Sequence, residues 1–221
     1  FVVFMPKDIV SGDFYWLHTK TDQILFAAAD CTGHGVPGAF MSLICINLLN
    51  KIVDKKITTA PAELLDLLRQ QIITSFTSKK GQEKRQDGLD IALCSYDPKT
   101  KILSYAGAKN SLYLFKNNVF KEIKADRQTV GKFYDQKKNE FTNHSFPVEK
   151  GDVIYLFSDG FADQKGGPDN KKYYYPTFQE LCASIHQLDM DEQKQKLEQA
   201  FASWKGTNEQ IDDVLIIGIR F

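Results

Sequence analysis

The sequence predicts an α+β fold in which helices pack on antiparallel sheets, and three observations carry that reading. Short strand-like segments dominate the chain and follow one another in runs. The helical patterns come in pairs, not one after every strand. Short turns such as Asp97-Pro98-Lys99-Thr100 and Lys116-Asn117-Asn118 join neighbouring strands as hairpins. With 221 residues, of which 43% are hydrophobic and 12% aromatic, the chain can bury one substantial core and is short for two ordinary domains. Residues 1–221 are therefore read as one domain.

The chain opens on the strand-like Phe1-Val2-Val3-Phe4. Alternating or continuous apolar patterns then predict strands at 13–18 and 23–30. Two long helices follow at 36–55 and 60–78, with Pro37 and Pro61 suitably placed in their first turns. Strands return at 89–97, 101–107, 111–115, 119–124, 141–146 and 152–158. Helices near 177–187 and 190–204 precede a last strand at 213–221. The polar stretches 78–87 and 163–172 read as exposed mobile loops.

Lys plus Arg and Asp plus Glu are equal at 28 each, so no overall field draws the molecule to a nucleic acid or an anionic membrane. Cys31, Cys45, Cys94 and Cys182 have neither disulfide-like nor zinc-like spacing, and are expected as buried reduced thiols of a cytoplasmic protein. No apolar run approaches the ~18 residues needed to span a bilayer, and no basic-then-apolar leader is found. The start on a strand reads as the edge of a piece cut from a longer protein, which leaves a membrane-anchored parent open.

The informative pattern is where the acids fall. Ile24-Leu25-Phe26-Ala27-Ala28-Ala29 runs into Asp30, and Val153-Ile154-Tyr155-Leu156-Phe157-Ser158 runs into Asp159. Asp212-Asp213 stands just before Val214-Leu215-Ile216-Ile217, and Asp13 just before Phe14-Tyr15-Trp16-Leu17. Continuous apolar runs mark buried strands, so each acid lies at a strand end on the rim of the core. If residues 18–22 turn a hairpin, antiparallel pairing makes Asp13 and Asp30 neighbours. Facing carboxylates repel, and a divalent cation converts that repulsion into attraction. All-oxygen donors suit Mg²⁺ or Mn²⁺. Turns also favour Asp, so any one of these acids alone is an ordinary strand-end residue.

In Asp30-Cys31-Thr32-Gly33-His34-Gly35-Val36-Pro37-Gly38-Ala39 a buried strand turns through glycines into a helix. Glycines let a backbone approach a ligand, and a helix start favours an anion such as phosphate. The segment has neither the closing Lys-Ser/Thr of a P-loop nor the G-x-G-x-x-G spacing. His34 could serve as an acid toward a leaving group, although a lone His beside glycine is more often structural. Ser158 lacks a G-x-S-x-G elbow, and no cysteine has an evident His partner.

Ser11-Gly12-Asp13-Phe14, Asp30-x-x-Gly33-His34-Gly35, Ser158-Asp159-Gly160 and Asp212-Asp213, in this order, resemble the SpoIIE/RsbU-like branch of the PPM-type metal-dependent protein phosphatases. Asp87-Gly88-Leu89-Asp90 and Tyr105-Ala106-Gly107-Ala108 add to the likeness, which runs from about Pro6 to Phe221. The resemblance implies a sandwich of two antiparallel sheets flanked by helices, with two divalent cations, Mn²⁺ or Mg²⁺, at one end. Carried over by position, Asp30 would bridge both cations and Asp13 would help hold one. Asp159 and Asp212 would serve the other, the choice of Asp212 over Asp213 resting on motif alignment. The residue after the bridging acid, usually Gly, would offer its carbonyl, and here it is Cys31.

Asp30 and Asp159 are thus the catalytic candidates, acting through metal-activated water on phosphoserine or phosphothreonine. The implied partners are a phosphorylated protein, often a STAS-type anti-sigma-factor antagonist, and an upstream sensory module for which this would be the C-terminal output domain in bacterial signalling. A homodimer of the full-length protein is compatible with that arrangement. Segment 164–172, with Lys165, Lys171 and Lys172, is expected to form a basic rim for the substrate. Two rival readings stand beside this one: a phosphatase-like domain that binds without turnover, and a magnesium-dependent nucleotide enzyme, for which no base pocket is recognisable.

Overall fold

Most central strands are buried along nearly their whole length, and ladder hydrogen bonds sort them into two sheets. The computed structural model describes residues 1–20, 22–33, 35–55, 59–76, 88–131 and 139–221. In chain order the elements are β1 (Val2–Met5), β2 (Asp13–Lys20), β3 (Gln23–Cys31), α1 (Gly35–Asp54), α2 (Pro61–Phe76), β4 (Gly88–Asp97), β5 (Ile102–Ala108), β6 (Leu112–Lys116), β7 (Val119–Ile123), β8 (Val130–Gly131), β9 (His144–Pro147), β10 (Val153–Phe157), α3 (Gly160–Asp163), β11 (Lys165–Gly166), β12 (Lys171–Lys172), α4 (Tyr175–Ile185), α5 (Met190–Lys205) and β13 (Val214–Arg220). One sheet runs β1-β13-β10-β6-β7; the other runs β2-β3-β4-β5-β9, with β8 paired to β4. Neighbours within each are antiparallel.

Three apolar clusters define the layers. Phe26, Ala28, Ala92, Cys94 and Tyr105 of one sheet meet Leu114, Ile154, Leu156 and Leu215 of the other. Behind the first sheet, Met41, Cys45 and Leu49 of α1 and Leu64, Leu65 and Leu68 of α2 cover Phe14, Trp16, Leu25 and Leu93. Behind the second, Phe178 and Cys182 of α4 and Leu197 and Phe201 of α5 cover Tyr113, Phe115, Tyr155 and Val214. The result is the helix–sheet–sheet–helix sandwich implied by the resemblance. Each fully buried Leu contributes about 1.5–3 kcal/mol of transfer free energy, so all three interfaces stabilise the fold.

Local details depart from the sequence expectations for physical reasons. The first hairpin is tighter than predicted, with pairing continuing to Lys20 opposite Gln23. The strand expected at 141–146 begins only at His144, because Phe141 turns into the cluster under α2. The segment expected as a loop at 163–172 folds as the β11–β12 hairpin after α3. It is held against α5: the Gly167 amide donates to the Trp204 carbonyl at 2.9 Å, and Trp204 Nε1 donates to the Gln164 carbonyl at 3.0 Å. Helix α1 is long and apolar enough to cross a membrane by length and composition, which corrects the expectation that no such run exists. One face of it packs on the core, with Met41, Cys45, Leu49 and Ile52 buried, while Val36, Phe40 and Leu43 are exposed. All four cysteines are free and buried, as expected. Segment 78–87 and His34 lie outside the described residues.

Candidate active site

Strand register draws the acids to one end of the sandwich. Asp13 pairs directly with Asp30 across β2–β3, and Asp30 pairs with Asp90 across β3–β4. Opposed residues in an antiparallel ladder project to the same face, so the three carboxylates stand in a row. The side they share is the inner one, since Ala28 and Ala92, two residues along, belong to the core between the sheets. From the second sheet, β10 ends beside the start of β13, with Phe157 opposite Ile216 and the Ser158 amide bonded to the Leu215 carbonyl. That places Asp159 next to Asp212-Asp213. The sheets are tied at this point by Ser158 Oγ, which donates to Asp13 Oδ2 at 2.6 Å and accepts from the Leu215 amide at 3.0 Å.

The two adjacent aspartates have different tasks. Asp213 is 2% exposed, and its carboxylate accepts from the Lys7 amide at 2.7 Å and the Gly12 amide at 2.8 Å, fixing the loop that leads into Asp13. Asp212 instead lines an open cleft of about 320 Å³ together with Asp30, Cys31, Thr32, Gly33, Asp90, Lys109 and Thr129. Cys31 keeps a negative φ within β3, so replacing the usual Gly requires no special backbone angle there. Its thiol is buried 4.0 Å from that of Cys45.

Glycines make this corner by letting backbone meet backbone. A Cβ on Gly38 of α1 would stand 2.1 Å from the Gly33 carbonyl oxygen, and one on Gly12 would stand 2.5 Å from the same atom. Gly33 itself has φ +93°, a conformation that L side chains rarely adopt. The glycines read from sequence as making room for a ligand thus bring α1 down onto the strand ends that carry Asp13 and Asp30. Gly160 does the same across the cleft, where a Cβ would meet the Asp213 carbonyl oxygen at 1.9 Å.

Burial and mutual repulsion make these acids hold protons. Asp30 is pushed up to about 9, first by burial and then by Asp13, Asp159, Asp212 and Asp90. Burial also raises Asp13 to about 7, against the opposing Ser158 hydrogen bond, with Asp213, Asp212 and Asp159 adding to the rise. Asp159 is raised to about 6 by burial and then by Asp212, Asp163 and Asp90, with Lys172 opposing. Among the described residues no three His, Cys, Asp or Glu side chains already converge as a finished metal shell. The donor set nevertheless fits hard divalent cations, since among the described residues the cleft offers carboxylate and carbonyl oxygen and no imidazole, and positive charge would relieve the repulsion.

Three further residues belong to the site although the sequence does not mark them as site residues. Asp90 sits inside a predicted strand, and only its register opposite Asp30 brings it to the site. One of its oxygens accepts from Thr129 Oγ1 at 2.7 Å and the other pairs with Lys109 Nζ at 3.0 Å. Lys109 has φ 57°, and its amide is bonded to the Asp126 carbonyl, so a turn with no sequence signal of chemistry aims a cation at the cleft. Ser158 belongs to a motif of the resemblance but lacks a nucleophile elbow, and its place is as a tie between the sheets.

Comparison with known proteins agrees with this geometry. The phosphoserine phosphatase RsbU of Bacillus subtilis (strain 168) is 26% identical over 200 residues, an alignment covering 83% of this chain and 53% of that protein. The chain thus spans about half the length of that relative. The solved SiaA-PP2C domain of Pseudomonas aeruginosa superimposes with a TM-score of 0.88 at 29% identity, covering 100% of this chain and 85% of that one. RsbX, solved in complex with magnesium, shares the fold at a TM-score of 0.65 and 14% identity, covering 98% of this chain and 92% of that one. Residues 20–221 match the Stage II sporulation protein E (SpoIIE) family. A PP2C-like sandwich with its acids gathered at one end, and a family match over nearly the whole chain, lead to one conclusion: the chain belongs to the SpoIIE family.

Proposed function

We propose that this chain is a metal-dependent phosphatase acting on phosphoserine or phosphothreonine in a protein. The reading is carried by the gathering of Asp13, Asp30, Asp159 and Asp212 from both sheets at one end of the sandwich. When bound, two divalent cations, Mg²⁺ or Mn²⁺, would supply Lewis acidity toward the phosphoryl oxygens and a water of lowered pKa. Asp30, flanked in its ladder by Asp13 and Asp90, is suited to contact both. Asp13 and the Cys31 carbonyl would hold one side, and Asp159 and Asp212 the other. Ser158 keeps Asp13 turned into the site, while Asp213 fixes the approach of β2 through Gly12. Attack by water requires no covalent phosphoenzyme, in keeping with the lack of a nucleophile elbow around Ser158.

The natural substrate in this reading is a phosphorylated signalling protein of the STAS-type anti-sigma-factor antagonist class, in the cytoplasm, under control of a sensory module in the same chain. Chelation should abolish hydrolysis of both a phosphoprotein and a small phosphate ester, and added Mn²⁺ or Mg²⁺ should restore it. Asp30→Asn should lower kcat by ~100-fold or more and weaken Mn²⁺ binding measured by titration calorimetry. Turnover that survives thorough chelation, or an Asp30→Asn protein with normal turnover, would end the metal mechanism.

A further inference from the structure

Beside the acid cleft lies a second pocket of about 390 Å³ that shares one wall with it, Lys109. The pocket sits between the outer face of β6–β7 and the first turns of α4. Tyr113, Phe157 and Tyr175 give it an aromatic lining, with ring centroids 4.6 Å apart for Tyr113–Phe157 and 6.1 Å apart for Phe157–Tyr175. Tyr175 is 43% exposed, so one face of the aromatic wall is open. Glu122 stands directly opposite Tyr113 in the β6–β7 ladder, which puts an exposed carboxylate beside the rings. Asn110, 8% exposed, also lines the pocket, and its buried amide nitrogen has no hydrogen-bond partner among the described residues.

We propose that this pocket seats the arginine or lysine side chain of a residue flanking the phosphorylated serine or threonine of the substrate protein. Two features select a cation. Aromatic rings attract cations through their faces. Glu122 brings a full negative charge, whereas the first turn of α4 brings only about half a positive one. The charge of Lys109 is directed the other way, onto Asp90. The shared wall sets the spacing: a phosphoryl group in the acid cleft and a basic side chain in the aromatic pocket can belong to adjoining residues of one extended segment.

This inference rests on the phosphatase reading, and its test separates the two. Phosphoserine peptides differing only in Arg, Ala or Glu at each of the three positions on either side of the phosphoserine would be compared in Mn²⁺, alongside a small phosphate ester. At one flanking position, Arg should exceed Ala by about tenfold in kcat/KM, and Glu should fall below Ala. Glu122→Gln should remove most of that preference while leaving ester turnover unchanged, and Tyr113→Ala should do the same wherever the variant folds. Ester hydrolysis with no preference at any position, or a preference untouched by Glu122→Gln, would overturn the pocket assignment and leave the phosphatase reading standing. Failure to hydrolyse the ester would instead overturn the phosphatase reading itself.

Discussion

At the scale of single residues, the site is built by side chains whose partners are distant in sequence. Ser158 is the clearest case, because its hydroxyl donates to Asp13 and accepts from the Leu215 amide. Ser158→Ala would leave that amide without its side-chain acceptor and free the Asp13 carboxylate to turn away. Losing a hydrogen bond that orients a metal-binding carboxylate costs about 10–100-fold in metal affinity. The variant should therefore fold and bind Mn²⁺ more weakly by that factor in titration calorimetry, with saturating Mn²⁺ recovering much of the activity. Unchanged affinity would reduce Ser158 to a packing residue. The Asp212-Asp213 doublet makes the same point from the other side. Asp213→Asn exchanges a carboxylate bonded to two amides for a neutral side chain with a single acceptor oxygen, so it should lower the melting temperature more than Asp212→Asn does. The measurement is a thermal melt of each variant in chelator. A larger loss for Asp212→Asn would contradict the division of labour between them.

At the scale of elements, α1 is positioned by the absence of side chains. Its Gly38 lies over Gly33 and Gly12, and a Cβ there would come within 2.1 Å of a backbone oxygen that cannot swing aside. Gly38→Ala should lift the start of α1 off the strand ends, costing about 1–3 kcal/mol as an overpacking change. It should also reduce turnover, because the displaced Gly33 segment follows directly on Asp30 and Cys31. Denaturant unfolding gives the first quantity and ester hydrolysis the second. A fully stable and fully active Gly38→Ala protein would contradict the packing described. The β2–β3 hairpin is the opposite case, where periodicity and a short turn are enough to pair Asp13 with Asp30 without reference to tertiary contacts. The β11–β12 hairpin reads as a loop in the sequence because its order comes from Trp204 and a buried Gln164, not from its own polar, glycine-rich sequence.

At the scale of the whole molecule, crowding acids at one end of the sandwich makes metal-free stability depend on pH. The folded protein keeps protons on Asp159, Asp13 and Asp30 up to about pH 6, 7 and 9, whereas an unfolded chain releases them near pH 4. Across that interval the folded state binds more protons, so stability falls as pH rises from about 4 through these values. In chelator, the melting temperature should drop between pH 5 and pH 8. Asp30→Asn should flatten the drop, and Mn²⁺ should raise the melting temperature more at pH 8 than at pH 5. Parallel slopes for wild type and Asp30→Asn would show that the acids are not the cause. What the sequence by itself determined is the class of fold, the strand ends that bear acids, the Asp13–Asp30 pairing and the family, because apolar period, turn residues and motif order are local and survive without knowledge of packing. What only the tertiary structure decided is which of Asp212 and Asp213 faces the cleft, that Asp90 and Lys109 join it, and that an aromatic pocket opens beside it. Those outcomes depend on register between strands far apart in the chain and on backbones meeting at Gly12, Gly33, Gly38 and Gly160, and neither leaves a periodic trace in the sequence.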